Sequence, residues 1–474
     1  MKSDKLQNAI GMVDEDLILR AEEKPKKKIP KFIWKWPAAI AAVLVFAIGF
    51  GILFGNANPT LQVQALCEAD YPKMAPYPNE NLPGFSAKYD AWSDDRRERR
   101  SYIGKGSLSE EYLRATATEL LGDAGAENLV YSPLNIYMAL SMLAEITDGE
   151  SRAQILSLLG ETDVETLREN AHALWNANYS DDGAVTSILA SSLWLNEDVS
   201  FRQDTLNTLA ENYYASSYQG MMGTDAMNKA LQNWLNEQTG GLLKDQIDGI
   251  KTTPETILAL ATTIYFQAKW AEEFSENRTE KDIFHGANGD TTADFMKQTL
   301  WYGNYYWGEN YSATYKGLES SGKMWFILPD EGVSIDELLA SDAVLDLMAN
   351  GTYENKKSIR IHLSLPKFDV SSKIDLAEKM QALGINDCFD MKKADFSPLL
   401  TEEMPAYLSS AEHGARVAID EEGVTATAYT AMMEAGGAQP PENEIDFVLD
   451  RPFIFVITGV DGSPLFMGVV NSIS

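Results

Sequence analysis

The sequence predicts an α+β fold built on large antiparallel or mixed β-sheets. After residue 107, segments with helical spacing come first, and strand-like runs dominate the second half of the chain. The two kinds of segment do not alternate as β-α-β units and no internal repeat is present, which disfavours a parallel sheet covered by helices. The 474 residues are 45% hydrophobic and 23% charged, which is typical of globular proteins.

The composition disfavours several classes of function. A formal net charge of −31 would repel phosphates, so we expect no nucleic-acid partner; the acidity is more simply a solubility feature. The two cysteines, Cys67 and Cys388, form neither a disulfide framework nor a metal motif, and a single bridge between them is the less favoured alternative. The four histidines have no ligand-like spacing, so no metal and no cofactor are predicted.

Residues 37–55 form an apolar run without a charged residue. As a helix, a run of this length can cross a hydrocarbon core of about 30 Å. Trp34 and Trp36 stand where interfacial aromatic residues belong, and the lysines before them favour an N-terminus inside the cell. We therefore expect residues 37–55 to be a transmembrane signal anchor, with residues 1–36 cytoplasmic. A cleaved signal peptide is the alternative, but its polar leader would be too long.

Residues 56–107 are rich in proline, asparagine and charged residues, which predicts an extracytoplasmic linker. Residues 108–474 would then form one folded domain outside the cell, in a single-pass protein of the cell membrane. The first 22 residues also resemble the cytoplasmic starts of some bacterial membrane proteins, and this similarity favours the same orientation.

The elements of the folded domain can be located in order. Residues 108–121 have helical spacing with an acidic first turn, and a Ser-Pro pair at residues 132–133 opens a second helix, because proline costs least in a first turn. Strand-like runs occupy residues 187–195, 257–266, 323–328, 359–365, 416–420 and 452–457. A tight turn at residues 461–462 joins the last of these to residues 465–470.

Residues 421–438 have a dual character. The run 416–420 before them alternates as a half-buried strand does, and the two prolines at 440–441 would end any strand. One face of the alternation carries four residues without bulk or charge: Val424, Ala426, Ala428 and Thr430. Tyr429 falls on the opposite face. The segment is therefore predicted to be an exposed loop that could also enter a sheet as a strand.

No motif for catalysis is present. The sequence lacks a Gly-x-Ser-x-Gly elbow, a phosphate-binding loop, a dinucleotide-binding fingerprint and a zinc-protease motif. His413 lies just before the strand-like run 416–420 and could be imagined as part of a membrane-bound hydrolase. A lone histidine in this setting is more often a hydrogen-bonded interior residue, so we do not expect an enzyme.

With these residues in view, the chain resembles the serpins, the superfamily of serine protease inhibitors, over residues 108–474. The family's second helix and the turn after it are similar to 128–135 (NLVYSPLN) and 147–152 (TDGESR), and Thr239-Gly240 follows Trp234 as in its helix F region. Strands of the family are similar to 262–270 (TTIYFQAKW), 365–368 (LPKF), 451–453 (RPF) and 464–468 (PLFMG). Together with the predicted anchor, the resemblance implies a membrane-anchored bacterial member with the serpin fold.

The resemblance assigns roles to two groups of residues. The hinge and insertion segment would comprise Glu421 and Gly423 with the inward residues Val424, Ala426, Ala428 and Thr430. The shutter and breach of the main sheet would comprise Ser132, Asn135, Thr262, Trp270 and His413. The family usually has serine at 135 and asparagine at 262, both near the shutter, so the sheet-opening barrier cannot be carried over. Thr427 and Tyr429 interrupt the family's usual run of small residues, but Tyr429 faces outward by alternation and should do little harm.

The resemblance also implies a mechanism. A protease cleaves the exposed loop as a substrate and forms an acyl-enzyme; the freed loop then inserts into the sheet and traps the protease. The family's loop length places the reactive bond at Gly437–Ala438, with Met432–Met433 as an alternative. Small residues there favour an elastase-like or subtilisin-like serine protease, with a cysteine protease as an alternative partner. A monomer is expected, and a non-inhibitory surface-binding serpin is the other interpretation.

Overall fold

The computed structural model describes residues 40–49, 63–78, 84–122, 124–183, 185–319, 322–424 and 443–473. Within them the α-helices are α1 (Phe85–Arg100), α2 (Glu110–Leu121), α3 (Pro133–Glu145), α4 (Gly149–Leu159), α5 (Val164–Asn178), α6 (Gln203–Tyr213), α7 (Asp225–Gln238), α8 (Lys244–Ile247), α9 (Ile335–Leu339), α10 (Asp342–Asn350) and α11 (Leu376–Ala382). Short 3₁₀ helices occupy Glu276–Arg278 and Asp387–Phe389.

The strands of the same residues are β1 (Ile40–Gly49), β2 (Gln64–Cys67), β3 (Leu129–Tyr131), β4 (Ser180–Asp181), β5 (Thr186–Asn196), β6 (Ala215–Gly220), β7 (Thr256–Lys269), β8 (Thr279–Gly286), β9 (Gly289–Gly308), β10 (Tyr311–Leu318), β11 (Gly322–Pro329), β12 (Asn355–Pro366), β13 (Phe368–Asp375), β14 (Tyr407–Ile419), β15 (Gly423–Val424), β16 (Glu444–Val448), β17 (Phe453–Thr458) and β18 (Pro464–Val470).

Two helices begin where the sequence predicts them. The Ser109 hydroxyl accepts a hydrogen bond from the backbone N–H of Tyr112 and caps α2. The Ser132 hydroxyl accepts from the backbone N–H of Asn135 and caps α3, with Pro133 in the first turn. Every residue of α3 is buried, because this helix packs against β7 and β18 in the centre of the fold.

The strands form two nine-stranded sheets, which confirms the predicted α+β class with large mixed sheets. Sheet A has the order β13-β14-β1-β7-β5-β6-β2, with β15 paired to β7 and β4 to β5. Sheet B has the order β16-β12-β9-β10-β11-β17-β18-β3, with β8 paired to β9. Most pairs are antiparallel, but β5 with β6 and β12 with β16 are parallel.

Strand β7 is buried on both faces of sheet A. One face joins the main core, through residues such as Leu258 and Leu260. The other face is covered by α7, whose Leu231 and Leu235 pack in one cluster with Ala259. A strand enclosed in this way is largely apolar on both sides, which explains the continuous apolar run from 257 to 261.

The prediction of a transmembrane anchor, and with it the localisation in the cell membrane, is wrong. Residues 40–49 of the predicted span form β1, between β7 and β14 in sheet A. Among the residues that the structure describes, no helix is long and apolar enough to cross a membrane. An uncharged apolar run satisfies a membrane helix and a central strand equally well, so periodicity could not separate the two. Residues 1–36 lie outside the described residues.

Part of the predicted linker 56–107 is folded onto the rest of the chain. Strand β2 extends the edge of sheet A by pairing with β6. The ring of Tyr71 stacks on that of Trp175, with 5.7 Å between centroids. The indole N–H of Trp92, in α1, donates to the Asp182 carboxylate at 2.9 Å. Both cysteines are free: Cys67 is half-buried and Cys388 is buried.

Candidate functional site

A tight turn carries the chain from β14 into β15. The Asp420 carboxylate accepts hydrogen bonds from the backbone N–H groups of Glu422 and Gly423, at 2.9 and 3.3 Å. Gly423 has φ +128°, and a Cβ atom there would lie 2.5 Å from the backbone nitrogen of Trp270. Only glycine fits this close approach, so the turn explains why the predicted hinge carries glycine at position 423.

Strand β15 lies beside the end of β7. Gly423 pairs with Lys269 and Val424 with Ala268, in the antiparallel direction. Trp270 is 1% exposed. Its backbone N–H donates to the Glu422 carbonyl at 3.2 Å, and its indole N–H donates to the Asp420 carbonyl at 2.9 Å. The tryptophan therefore holds the turn between β14 and β15 beside the end of β7.

Glu421 connects the same turn to sheet B. Its carboxylate lies 2.6 Å from the Lys367 ammonium and accepts a hydrogen bond from the Thr279 hydroxyl at 2.7 Å. Burial acts to raise the pKa of Glu421, but the hydrogen bonds from Lys367 and Thr279 outweigh it, so the pKa is lowered. Sequence reasoning missed both partners as site residues; the only available signal was the position of Lys367 in the LPKF motif.

A buried lysine lies beneath the breach. The Lys316 ammonium is 5.6 Å from the centroid of the Trp270 ring and 4.5 Å from that of Phe274. It donates to the Glu272 carbonyl and to the side-chain oxygen of Gln298. Burial lowers its pKa to about 8. Nothing in the sequence singles out this lysine, because its setting depends on strands far apart in the chain.

The structure brings together four of the predicted shutter and breach residues at the start of α3. Nε2 of His413 accepts a hydrogen bond from the Ser132 backbone N–H at 3.0 Å. The Asn135 side chain donates to the Thr262 carbonyl at 3.4 Å. Because Nε2 accepts, this histidine is neutral with its proton on Nδ1. Thr262 takes part through its backbone, so the asparagine that the family usually has at this position is not needed for this bond.

These contacts attach α3 to the two strands that flank β1. His413 belongs to β14 and Thr262 to β7, and both are register partners of Leu44 in β1. His413 is 0% exposed, which is unlike a histidine that works as a hydrolytic base on solvent-borne substrates. Trp270, the fifth predicted residue, lies apart from this group at the far end of β7.

The remaining predicted residues are outside the part of the chain that the structure describes. These are the insertion residues Ala426, Ala428 and Thr430 and the reactive-bond residues Gly437 and Ala438. The structure gives the pairing of Val424 through its backbone. The described part of the site is therefore β15 with the strands β7 and β14.

Comparison with protein families gives a match over most of the chain. A family model described as "Serpin (serine protease inhibitor)" matches residues 113–473. Serpin-ZX from Arabidopsis thaliana is 27% identical over 370 residues, which cover 72% of this chain and 91% of that protein. The plasma serine protease inhibitor of Mus musculus is 28% identical over 404 residues, covering 82% and 96%.

Solved structures show the same fold. The native state of tengpin, a thermophilic serpin, has a TM-score of 0.68 and 24% identity, and covers 87% of this chain and 100% of that chain. Human thyroxine-binding globulin has a TM-score of 0.66 and 21% identity, covering 80% and 99%. At these identities the likeness concerns the fold alone.

Proposed function

Because this chain belongs to the serpin family, we propose that it is a suicide-substrate inhibitor of serine proteases. It has the serpin fold, with helices packed on large mixed sheets. In the proposed mechanism a protease cleaves the loop after β15, and the freed loop extends β15 along β7 as a new strand. Serpin loop insertion is a known case of strand addition to a sheet. The proposed domain starts near residue 108, and this boundary stays a prediction.

The entry of the loop at β15 carries this proposal. Gly423 and Val424 are already paired with β7, and the turn before them is held by Trp270 and Glu421. Insertion of about a dozen residues at about 1 kcal/mol per backbone hydrogen bond would release on the order of 10 kcal/mol. This equals the stability of a typical domain, so it is enough to distort a bound protease.

We further propose Gly437–Ala438 as the reactive bond. The four residues from Glu434 to Gly437 include no basic and no aromatic side chain, which disfavours trypsin-like and chymotrypsin-like pockets. Small residues suit the pocket of an elastase-like or subtilisin-like protease. A cysteine protease is the alternative target.

Incubation with a panel of proteases tests both parts of the proposal. With elastase or subtilisin, a chain whose β1 has been expelled from sheet A by proline substitution should give a covalent complex that survives denaturing electrophoresis, and the released C-terminal peptide should begin at Ala438 by mass spectrometry. Trypsin, whose pocket needs a basic residue, is the matched negative control. Cleavage of that chain without any complex would contradict the inhibitory function, and another N-terminus would move the reactive bond.

One observation favours a second candidate, a non-inhibitory serpin that acts as a binding protein. The space between β7 and β14 is filled by β1, and a binding protein has no need to insert its loop. Thyroxine-binding globulin, which has the same fold, is named for a small-molecule ligand. A chain that is cleaved without forming complexes, and without any gain in thermal stability, would favour this second function.

A further inference from the structure

We propose that the insertion site between β7 and β14 is a binding site for residues 40–49 of the same chain, and that β1 must leave it before the loop can insert. The effect of β1 on inhibition rests on the proposed inhibitory function. The position of β1 between β7 and β14 does not depend on that function. The full-length chain would thus be a resting form of the inhibitor, whose activity depends on release of its own N-terminal segment.

The pairing of β1 is that of a complete central strand. All ten of its residues pair with β14, from Ile40 opposite Val417 to Gly49 opposite Tyr407, with one register shift between Ala47 and Ile48. The same ten residues pair with β7, from Ile40 opposite Phe266 to Gly49 opposite Thr256, with one register shift between Ile48 and Gly49. Both pairings are antiparallel, and among the described residues β7 and β14 are joined only through β1. This strand therefore closes sheet A.

The loop would need the same positions. Val424 lies opposite Ala268, so a loop that continued in this register would place Ala426 opposite Phe266, the residue that now pairs with Ile40. Farther along, Thr430 would lie opposite Thr262, the present partner of Leu44. Strands β15 and β1 run in the same direction along β7. A loop that extended β15 would therefore pair with the same residues of β7 as β1 does, so insertion beyond residue 425 requires displacement of β1.

The sequence of β1 suits this position. It reads IAAVLVFAIG, without charge or proline and with several β-branched residues. A strand with neighbours on both sides cannot lack an N–H group in its middle, so the absence of proline fits this position. The loop and β1 belong to the same chain, so their competition for the position between β7 and β14 does not depend on protein concentration.

Proline substitution in the full-length chain tests the inference. Val43→Pro/Val45→Pro removes two N–H groups from the middle of β1 and should expel it from the sheet. Leu53→Pro, four residues beyond β1, is the matched control. The probe is a fluorescent synthetic peptide with the loop sequence of residues 425–436. The double variant should take up this peptide about tenfold faster or more, whereas the unaltered chain and Leu53→Pro should take it up slowly.

Hydrogen exchange of the unaltered chain provides a readout that does not depend on the folding of a variant. The amides of residues 40–49 should be protected as strongly as those of β7, and unprotected amides would overturn the occupancy. If these amides are protected but the unaltered chain, the double variant and Leu53→Pro take up the peptide equally fast, β1 does not compete with the loop. If the double variant takes up the peptide as expected but traps no protease, the inhibitory function fails and the occupancy stands.

Discussion

Glu421 shows how one side chain can join the predicted hinge to the second sheet. It lies in the turn between β14 and β15, while Lys367 follows β12 and Thr279 begins β8. The residue is 8% exposed, so its charge depends on these two partners. The hinge is therefore held in place by contacts that pure sequence alternation does not predict.

Glu421→Gln should lower the free energy of unfolding by about 1–3 kcal/mol at pH 7, because hydrogen bonds to a charged partner are lost. The pKa of Glu421 is lowered in the folded state. Its contribution is therefore present above the unfolded-state pKa of about 4.3 and is lost as the pH falls through the folded-state value. Urea titrations at pH 7 and at acidic pH measure the difference, which should shrink on acidification.

Glu422→Gln is the matched control, since this neighbour is exposed and should change the stability by less than about 0.5 kcal/mol. If both variants behave alike, the ion pair with Lys367 does not stabilise the hinge.

Lys316 gives a second dependence on pH, of the same sign but in the alkaline range. Its pKa is lowered to about 8 by burial, so the folded state carries a penalty for the charged ammonium that is relieved as the pH rises above that value. Relative to Lys316→Met, the unaltered chain should gain about 2 kcal/mol of stability between pH 7 and pH 10. Denaturant titrations across this range, with the exposed Lys281→Met as control, check it. A constant difference between the two chains would show that the ammonium titrates normally.

At the scale of elements, the strands fall where their apolar runs predict them. The run 257–266 became β7 (Thr256–Lys269) and the run 323–328 became β11 (Gly322–Pro329). The predicted strand 416–420 is only the end of β14, which begins at Tyr407. Strand β9 has 20 residues and was not predicted, because its mostly half-buried residues mix polar and aromatic side chains without clean alternation.

The predicted insertion segment would also act as one element, a β-strand with an inward and an outward face. In the Val43→Pro/Val45→Pro chain, from which β1 should be expelled, Thr430→Arg should convert the inhibitor into a substrate that is cleaved and released, because a charge on the inward face of a central strand costs several kcal/mol and slows insertion. Tyr429→Arg is the matched control on the outward face and should leave complex formation nearly unchanged. The ratio of covalent complex to cleaved protein on a denaturing gel measures both. Equal ratios would refute the assignment of faces.

At the scale of the whole molecule, the stability of sheet A depends on which strand lies between β7 and β14. In the Val43→Pro/Val45→Pro chain, cleavage of the loop should raise the melting temperature by about 10 °C or more, since on the order of 10 kcal/mol of new hydrogen bonding becomes available. In the unaltered chain the rise should be smaller, because β1 already fills the site. Calorimetry before and after nicking with elastase measures both. An unchanged melting temperature in the double variant would contradict loop insertion.

Local patterns were sufficient for much of this protein. The α+β class, the starts of α2 and α3 and the apolar central strands follow from the spacing of apolar residues and from helix-start signals, and the caps at Ser109 and Ser132 join residues close in the chain. The glycine at 423 was recognised from the family resemblance, but its physical reason, the close approach of Trp270, comes from the fold. The ordered family motifs from residue 128 to residue 468 were enough to predict the serpin family.

Only the tertiary structure decided which secondary structure residues 40–49 adopt and which residues contact the predicted hinge. An uncharged apolar segment is stable in a membrane or between two strands, and the choice depends on whether β7 and β14 offer it free N–H and C=O groups. Likewise, Lys316 and Lys367 acquire their settings from strands distant in sequence. Local sequence limits the secondary structures that a segment can form. The partners that the fold brings next to it decide which of them it adopts.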